Sequence, residues 1–481
     1  MNCRSKKQDM GMEEEKEHVI KRGHVVLIPY PSQGHINPLL QFAKRLASKG
    51  LQATVATTHY TVNSIYASNV GVEAISDGYD EGGYSHAPDT NTYLKAFKTF
   101  GSKTLSQLIR KFENTASPVT CVVYDSFLPW ALDVAKQHGV YGAAFFTNSA
   151  TVSSLFYCIH QGLLTLPVKM EDTPLCIPGL HKLGYLDLPG FLKAPDSYPA
   201  YLAMKLSQYS NLHQAHWILG NTFDDLELQL PATEGVCELW KGTKIGPMIP
   251  SGYLDGRMVD DRGYGASLWK PLDNKCKKWL ELKPAGSVVY VSFGSMVALT
   301  PKQMEEIAWG LRGSDLHFLW VVKESERGKL PQGFIEATEE KGLVVSWCQQ
   351  LEVLAHEAIG CFVTHCGWNS TLEALCLGVP MVGVPKFADQ FTNAMFIEEV
   401  WSVGVRAKEE DDKGTVGREE LQLCLREVMD GDRSQEMRKN AGKWKELAKN
   451  AVSEGGSSDN NINEFVAQAC SCSKKKVEEE K

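Results

Sequence analysis

Residues 347–390 read WCQQLEVLAHEAIGCFVTHCGWNSTLEALCLGVPMVGVPKFADQ. The apolar run 343–346 just before them reads as a buried parallel strand, with Trp347 beyond its carboxyl end. A flat indole there is a platform for a base, because aromatic rings recognise bases by their π faces. Cys361-Phe362-Val363-Thr364 reads as a second strand ending at His365. Cys366-Gly367-Trp368 then makes a turn, and Asn369-Ser370-Thr371 opens a helix through Leu375. Helix N-termini present unpaired N–H groups and the positive end of the helix dipole, so this one suits a diphosphate. Residues 379–384, interrupted by Pro380 and Gly383, read as a third strand, and the loop beyond carries Asp389 and Gln390. Open α/β sheets bind ligands in such loops at strand carboxyl ends.

Outward from this stretch, the same alternation fills most of the chain. His24-Val25-Val26-Leu27-Ile28 reads as a buried strand, and Asn37-Pro38 as the cap and first-turn proline of a helix that stops at Gly50. Residues 51–57, 119–124 and 142–146 read as further strands, the second followed by Asp125 and a helix over 130–137, the third by Thr147. Residues 160–215 lose the pattern and read as loops and short helices around a pocket. Residues 217–223 restore a strand, and Ile245-Gly246-Pro247 closes the unit. A second alternating unit starts at Ser287, its first helix capped by Thr300, with Pro301 at N1 and Gln303 closing a capping box. Strand-helix alternation implies parallel, doubly wound sheets, here two of them.

His35 and Asp125 stand out as a catalytic pair. Each lies at or just beyond the carboxyl end of an expected strand, so their 90-residue separation collapses to contact on one sheet edge. A histidine takes a hydroxyl proton near neutral pH, and an aspartate on its other ring nitrogen fixes the tautomer and stabilises the imidazolium. In isolation each residue reads more simply: His35 and Asp125 as polar caps, Trp347 as core, Glu373 as a solvated helix position. Their joint placement favours the functional reading. His365-Cys366 has no second pair at a ligand spacing, so a zinc site is not expected.

The box 347–390 resembles the signature of plant UDP-sugar-dependent glycosyltransferases, and the similarity runs from His24 to about Ala469. Residues 31–38 (PSQGHINP), 124–126 (YDS) and 221–227 (NTFDDLE) match further segments of that family. The resemblance implies the GT-B fold, two Rossmann-like domains with parallel sheets facing across a cleft. By resemblance, Trp347 stacks on uracil and the Cys348 backbone bonds its edge. Gln350 and Glu373 hold the ribose, while Ser295, His365, Asn369 and Ser370 bind the diphosphate. Thr147, Trp368, Asp389 and Gln390 contact the sugar, and the terminal glutamine favours glucose. His35 and Asp125 match the family's catalytic dyad. Aromatic residues of the pocket segments (Phe127, Phe156, Tyr157, Tyr185, Phe191, Tyr198 and Tyr201) suit a flat or apolar acceptor, with Phe127 and Tyr201 singled out as pocket residues.

The implied organisation is a disordered tail (1–22), an acceptor-binding domain (23–250), a linker (251–270), a UDP-sugar-binding domain (271–455), a returning helix (456–470) and a disordered tail (471–481). The implied activity is inverting transfer from UDP-glucose to a hydroxyl of a steroid, triterpenoid or flavonoid. Glucose-ester or thioglucoside formation on small carboxylates or thiols is the alternative, and a nucleotide-sugar-binding sensor is the non-enzyme one. No cofactor is expected beyond the donor, and no metal, since no Asp-x-Asp element is suited to hold a metal-bound diphosphate.

Composition narrows the partners. A net charge of −8 argues against a nucleic-acid surface. Thirteen cysteines without a repeating framework suit free thiols in a reducing compartment. The charged start and the lack of a spanning apolar run predict a soluble, cytosolic protein without membrane insertion, expected to be a monomer. Neither half carries G-x-G-x-x-G after its first strand, and no G-x-S-x-G elbow occurs, which argues against a dinucleotide oxidoreductase and an α/β-hydrolase.

Overall fold

The computed structural model describes residues 23–227, 242–411 and 414–479. The expected N-terminal tail, 1–22, lies outside the described residues. Strands β1 (His24–Ile28), β2 (Gln52–Thr58), β3 (Gly71–Ile75), β4 (Val119–Asp125), β5 (Tyr141–Phe146), β6 (Trp217–Gly220) and β7 (Thr243–Lys244) form one parallel sheet in the order β3-β2-β1-β4-β5-β6-β7. Strands β8 (Val288–Ser292), β9 (His317–Val321), β10 (Gly342–Val345), β11 (Ile359–Thr364), β12 (Met381–Gly383) and β13 (Gly404–Arg406) form a second, in the order β10-β9-β8-β11-β12-β13. Central strands such as β1, β8 and β11 are buried along their whole length, because helices cover both faces. In each sheet the chain order reverses beside the first strand, β1 or β8, and ligand crevices open at such switch points.

The first helix differs from expectation. It spans Gln33–Ser48, so His35 lies in its first turn and Pro38 lies inside it. Proline has no N–H, so Pro38 leaves the Gly34 carbonyl without its helical partner. That carbonyl accepts instead from Asn369 Nδ2 of the second domain. In the helix Pro301–Gly313 the cap is Thr300, whose side chain accepts from Gln303 N. The capping box is not closed, because the Gln303 amide is held by Val416 and Lys386.

Residues 251–270 join the domains but are no loose tether. Asp261 bonds Gln41 and Lys44, and Asp255 pairs with Arg45, all on the first helix. Gln33 bonds Ala266 and Leu268 through both ends of its amide. The segment is therefore a strap fastened along that helix.

The last helix, Ser457–Glu479, returns to the first domain. Phe465 is 1% exposed and packs against Phe42 and Trp217, while Asp459 pairs with Lys49. The helix continues through residues 471–479, in place of the expected disordered tail. Lys and Glu are good helix formers, and adding turns to an existing helix avoids the cost of nucleation. Among the described residues no helix is long and apolar enough to cross a membrane.

Candidate active site

β1 and β4 are neighbours in register, Ile28 opposite Tyr124, so the segments beyond both strands emerge at the same sheet edge. His35 Nδ1 lies 2.6 Å from Asp125 Oδ2. Asp125 is wholly buried, and its other oxygen accepts from Phe127 N at 3.0 Å. The contact with Asp125 engages His35 Nδ1 and leaves Nε2 as the ring nitrogen not bound to Asp125. His35 lines the cleft between the domains, which encloses about 280 Å³. Thr147, just past β5, places its hydroxyl 3.2 Å from the same Nδ1, and the Phe127 ring lies 4.9 Å from the imidazole.

The second domain faces this pair with the expected box. His365 follows β11, and Cys366 takes a left-handed backbone (φ 62°) that turns the chain into the helix Trp368–Leu377. Burial lowers the His365 pKa to about 4, which keeps the ring neutral, and its buried Nδ1 has no hydrogen-bond partner among the described residues. Gln350 Nε2 bonds Ser370 Oγ at 2.9 Å and Glu373 Oε2 at 2.7 Å, which joins three expected donor ligands. Ser295 lines the cleft, its carbonyl fixed by Lys323 Nζ at 3.1 Å. Cys348 is buried, its thiol 3.6 Å from the Tyr290 hydroxyl, which favours its backbone over its side chain as a ligand contact.

Sequence reasoning missed the strap's share in this site. Tyr264 OH donates to Glu373 Oε1 at 2.8 Å, and the Trp269 ring centroid lies 4.4 Å from that of Trp347. Burial raises Glu373 to about 7, against the opposing pull of the Gln350 and Tyr264 bonds. An aromatic-rich linker beside a base platform was the available signal.

At the sugar end the expected residues are present with some atoms already engaged. The Trp368 indole donates to the Asn221 carbonyl at 2.9 Å, which leaves its ring rather than its N–H for a ligand. Asp389 accepts from Asn393 Nδ2 at 2.8 Å. Gln390 Oε1 accepts from the backbone of Lys386 and Phe387, so its amide nitrogen is the end left outside these bonds. Asn369 reaches across the cleft to Gly34.

Of the pocket aromatics, Phe127, Phe191 and Tyr201 line the cleft. Phe156, Tyr157, Tyr185 and Tyr198 do not line it. Phe156 is fully buried in the core, and Tyr198 packs on Phe191 and Phe387. Glu227, in the segment matched at 221–227, turns inward and accepts from Ala150 N, Thr151 N and Thr222 Oγ1.

Two parallel-sheet domains with a tryptophan, a helix N-terminus and a hydrogen-bonded His-Asp pair on one cleft match the architecture of GT-B nucleotide-sugar glycosyltransferases. Residues 253–447 match the family described as UDP-glucoronosyl and UDP-glucosyl transferase, and residues 22–74 match the glycosyltransferase N-terminal domain. The chain is 51% identical to UDP-glycosyltransferase 74B1 of Arabidopsis thaliana, over 92% of this chain and 97% of the relative. It is 48% identical to the Arabidopsis flavonol 7-O-beta-glucosyltransferase UGT74F1, over 93% and 98%. The crystal structure of Os79 from O. sativa in complex with UDP superposes with a TM-score of 0.87 at 40% identity, covering 92% of this chain and all of that one. The chain belongs to the plant UDP-glycosyltransferase family and is an enzyme of that class.

Proposed function

We propose that the enzyme transfers glucose from UDP-glucose to a hydroxyl group of a hydrophobic plant secondary metabolite, a steroid, triterpenoid or flavonoid, and forms a β-O-glucoside. The observation that carries the reading is the 2.6 Å contact between His35 Nδ1 and Asp125 Oδ2 on the cleft that the donor box also lines. Trp347 stacks on uracil, Gln350 and Glu373 take the ribose, and Ser295, His365, Asn369, Ser370 and the helix N-terminus take the diphosphate. Thr147, Trp368, Asp389 and Gln390 hold the glucose, and Phe127 and Tyr201 face the acceptor.

His35 removes the acceptor proton as its oxygen attacks C1 of UDP-α-glucose from the face opposite the leaving group. Asp125 stabilises the imidazolium, and UDP departs toward the preorganised donors at the helix N-terminus. A single displacement inverts the centre. No divalent ion enters the scheme, and the sequence offers no Asp-x-Asp element suited to one. The cysteine usage supports a cytosolic site of action, and a monomer suffices because one chain supplies both sides of the cleft.

The test is the anomer of the product with and without EDTA. Proton NMR is expected to show a β-glucoside formed at the same rate in both. An α-glucoside, or loss of turnover in EDTA, contradicts the mechanism.

A further inference from the structure

An ammonium group taken out of water is costly unless something compensates it. Lys205, on the helix Pro199–Ser207, is only 6% exposed, yet it lines the cleft. Among the described residues lining the cleft it is the only lysine or arginine. Its Nζ makes no hydrogen bond and no ion pair with the described residues. It lies instead over two rings, 5.0 Å from the Phe127 centroid and 5.4 Å from that of Phe156. Such contacts offset part of the desolvation but use none of the three N–H donors.

The neighbouring carboxylates are engaged elsewhere. Asp125 and Asp389 are close enough to favour the charge electrostatically, but burial still lowers the Lys205 pKa. Asp125 is bound to His35 and Phe127 N, and Asp389 to Asn393. Two half-buried lysines of the second domain behave differently. Lys386 ends on Gln303 and the Gly414 carbonyl, and Lys323 on the carbonyls of Ser295 and Val297. Those two tie loops together, whereas Lys205 keeps its donors for a molecule that enters the cleft.

Lys205 approaches the cleft from the acceptor side, although Asp389 of the box is also within electrostatic reach. It comes from the first domain, against Phe127, whose ring lies 4.9 Å from His35. The diphosphate groups belong to the second domain. We propose that Lys205 forms an anion subsite of the acceptor pocket, so that the acceptor carries a carboxylate or similar acidic group in addition to the hydroxyl that reacts at His35. The proposal rests on the glucosyl-transfer reading. It narrows the acceptor from a merely apolar compound to one with an acidic substituent.

para-Coumarate and its methyl ester test this, since they share the phenol and differ in charge. The measurement is phenolic glucoside formation from UDP-glucose by wild type, Lys205→Met and Lys205→Arg. A hydrogen bond to a buried charge supports a preference for the acid of about 10- to 100-fold in kcat/KM, carried mainly in KM. The ratio is expected to fall near one in Lys205→Met and to recover in part in Lys205→Arg. A wild-type ratio near one, a ratio unchanged in Lys205→Met, or glucose placed on the carboxylate itself overturns the subsite. A wider panel of hydroxyl acceptors separates the two readings. Turnover there without preference for the acid leaves glucosyl transfer standing and removes the subsite. UDP-glucose binding without turnover of any acceptor removes both.

Discussion

Glu373 is 4% exposed, and burial raises its pKa to about 7 while Gln350 and Tyr264 hold its two oxygens. Ribose hydroxyls donate hydrogen bonds, so under the proposed ribose role of Glu373 a bound donor favours the ionised carboxylate. Below about 7 the free enzyme carries a proton that must leave on binding. The KM for UDP-glucose is therefore expected to rise as the pH falls through that value, by up to about tenfold per unit. Glu373→Gln should flatten this dependence while weakening binding at higher pH. Titration of UDP by calorimetry across the range checks both, and a pH-independent wild-type affinity would remove Glu373 from the ribose site. Glu373 was singled out through the resemblance of the box, since by itself it reads as a solvated helix position, whereas the structure buries it. Tyr264 was not, since its partner lies 109 residues away.

At the scale of elements, Glu227 ties β6 to the helix Ala150–His160. Its buried carboxylate satisfies the first N–H groups of that helix, which a helix cannot satisfy itself. Glu227→Ala leaves these donors unpaired and is expected to cost about 2–3 kcal/mol, read as a lower Tm. Because Thr147 starts the same loop, transfer should slow as well. An unchanged Tm contradicts this anchoring. Most elements were legible from apolar runs and their punctuation, and the helix Trp130–Gln137 occurs where its pattern placed it. The strap reads as a linker in sequence because Gly and Asp signal turns. Its structure comes from Gln33, Gln41, Lys44 and Arg45, more than two hundred residues earlier. Pro38 misleads for a related reason. Proline marks a helix start by local rule, but here its missing N–H serves a bond across the cleft.

At the scale of the molecule, two parallel sheets direct their carboxyl ends toward one cleft, which brings the His35-Asp125 pair and the box 347–390 together. The alternation of strands and helices made the sheets legible. It hid the bonds across the cleft, Trp368 to Asn221 and Asn369 to Gly34, and the isolation of Lys205. These depend on tertiary approach and have no periodic signature. Under the proposed mechanism, glucosyl transfer in this cleft depends on His35 as the base that the first domain presents to the donor. The most direct measurement is UDP release from UDP-glucose with hydroxyl acceptors, wild type beside His35→Ala, with UDP affinity measured in parallel. Loss of general-base catalysis predicts a fall of about 10²- to 10⁴-fold in kcat with UDP affinity retained. Turnover of hydroxyl acceptors by His35→Ala at the wild-type rate would contradict it.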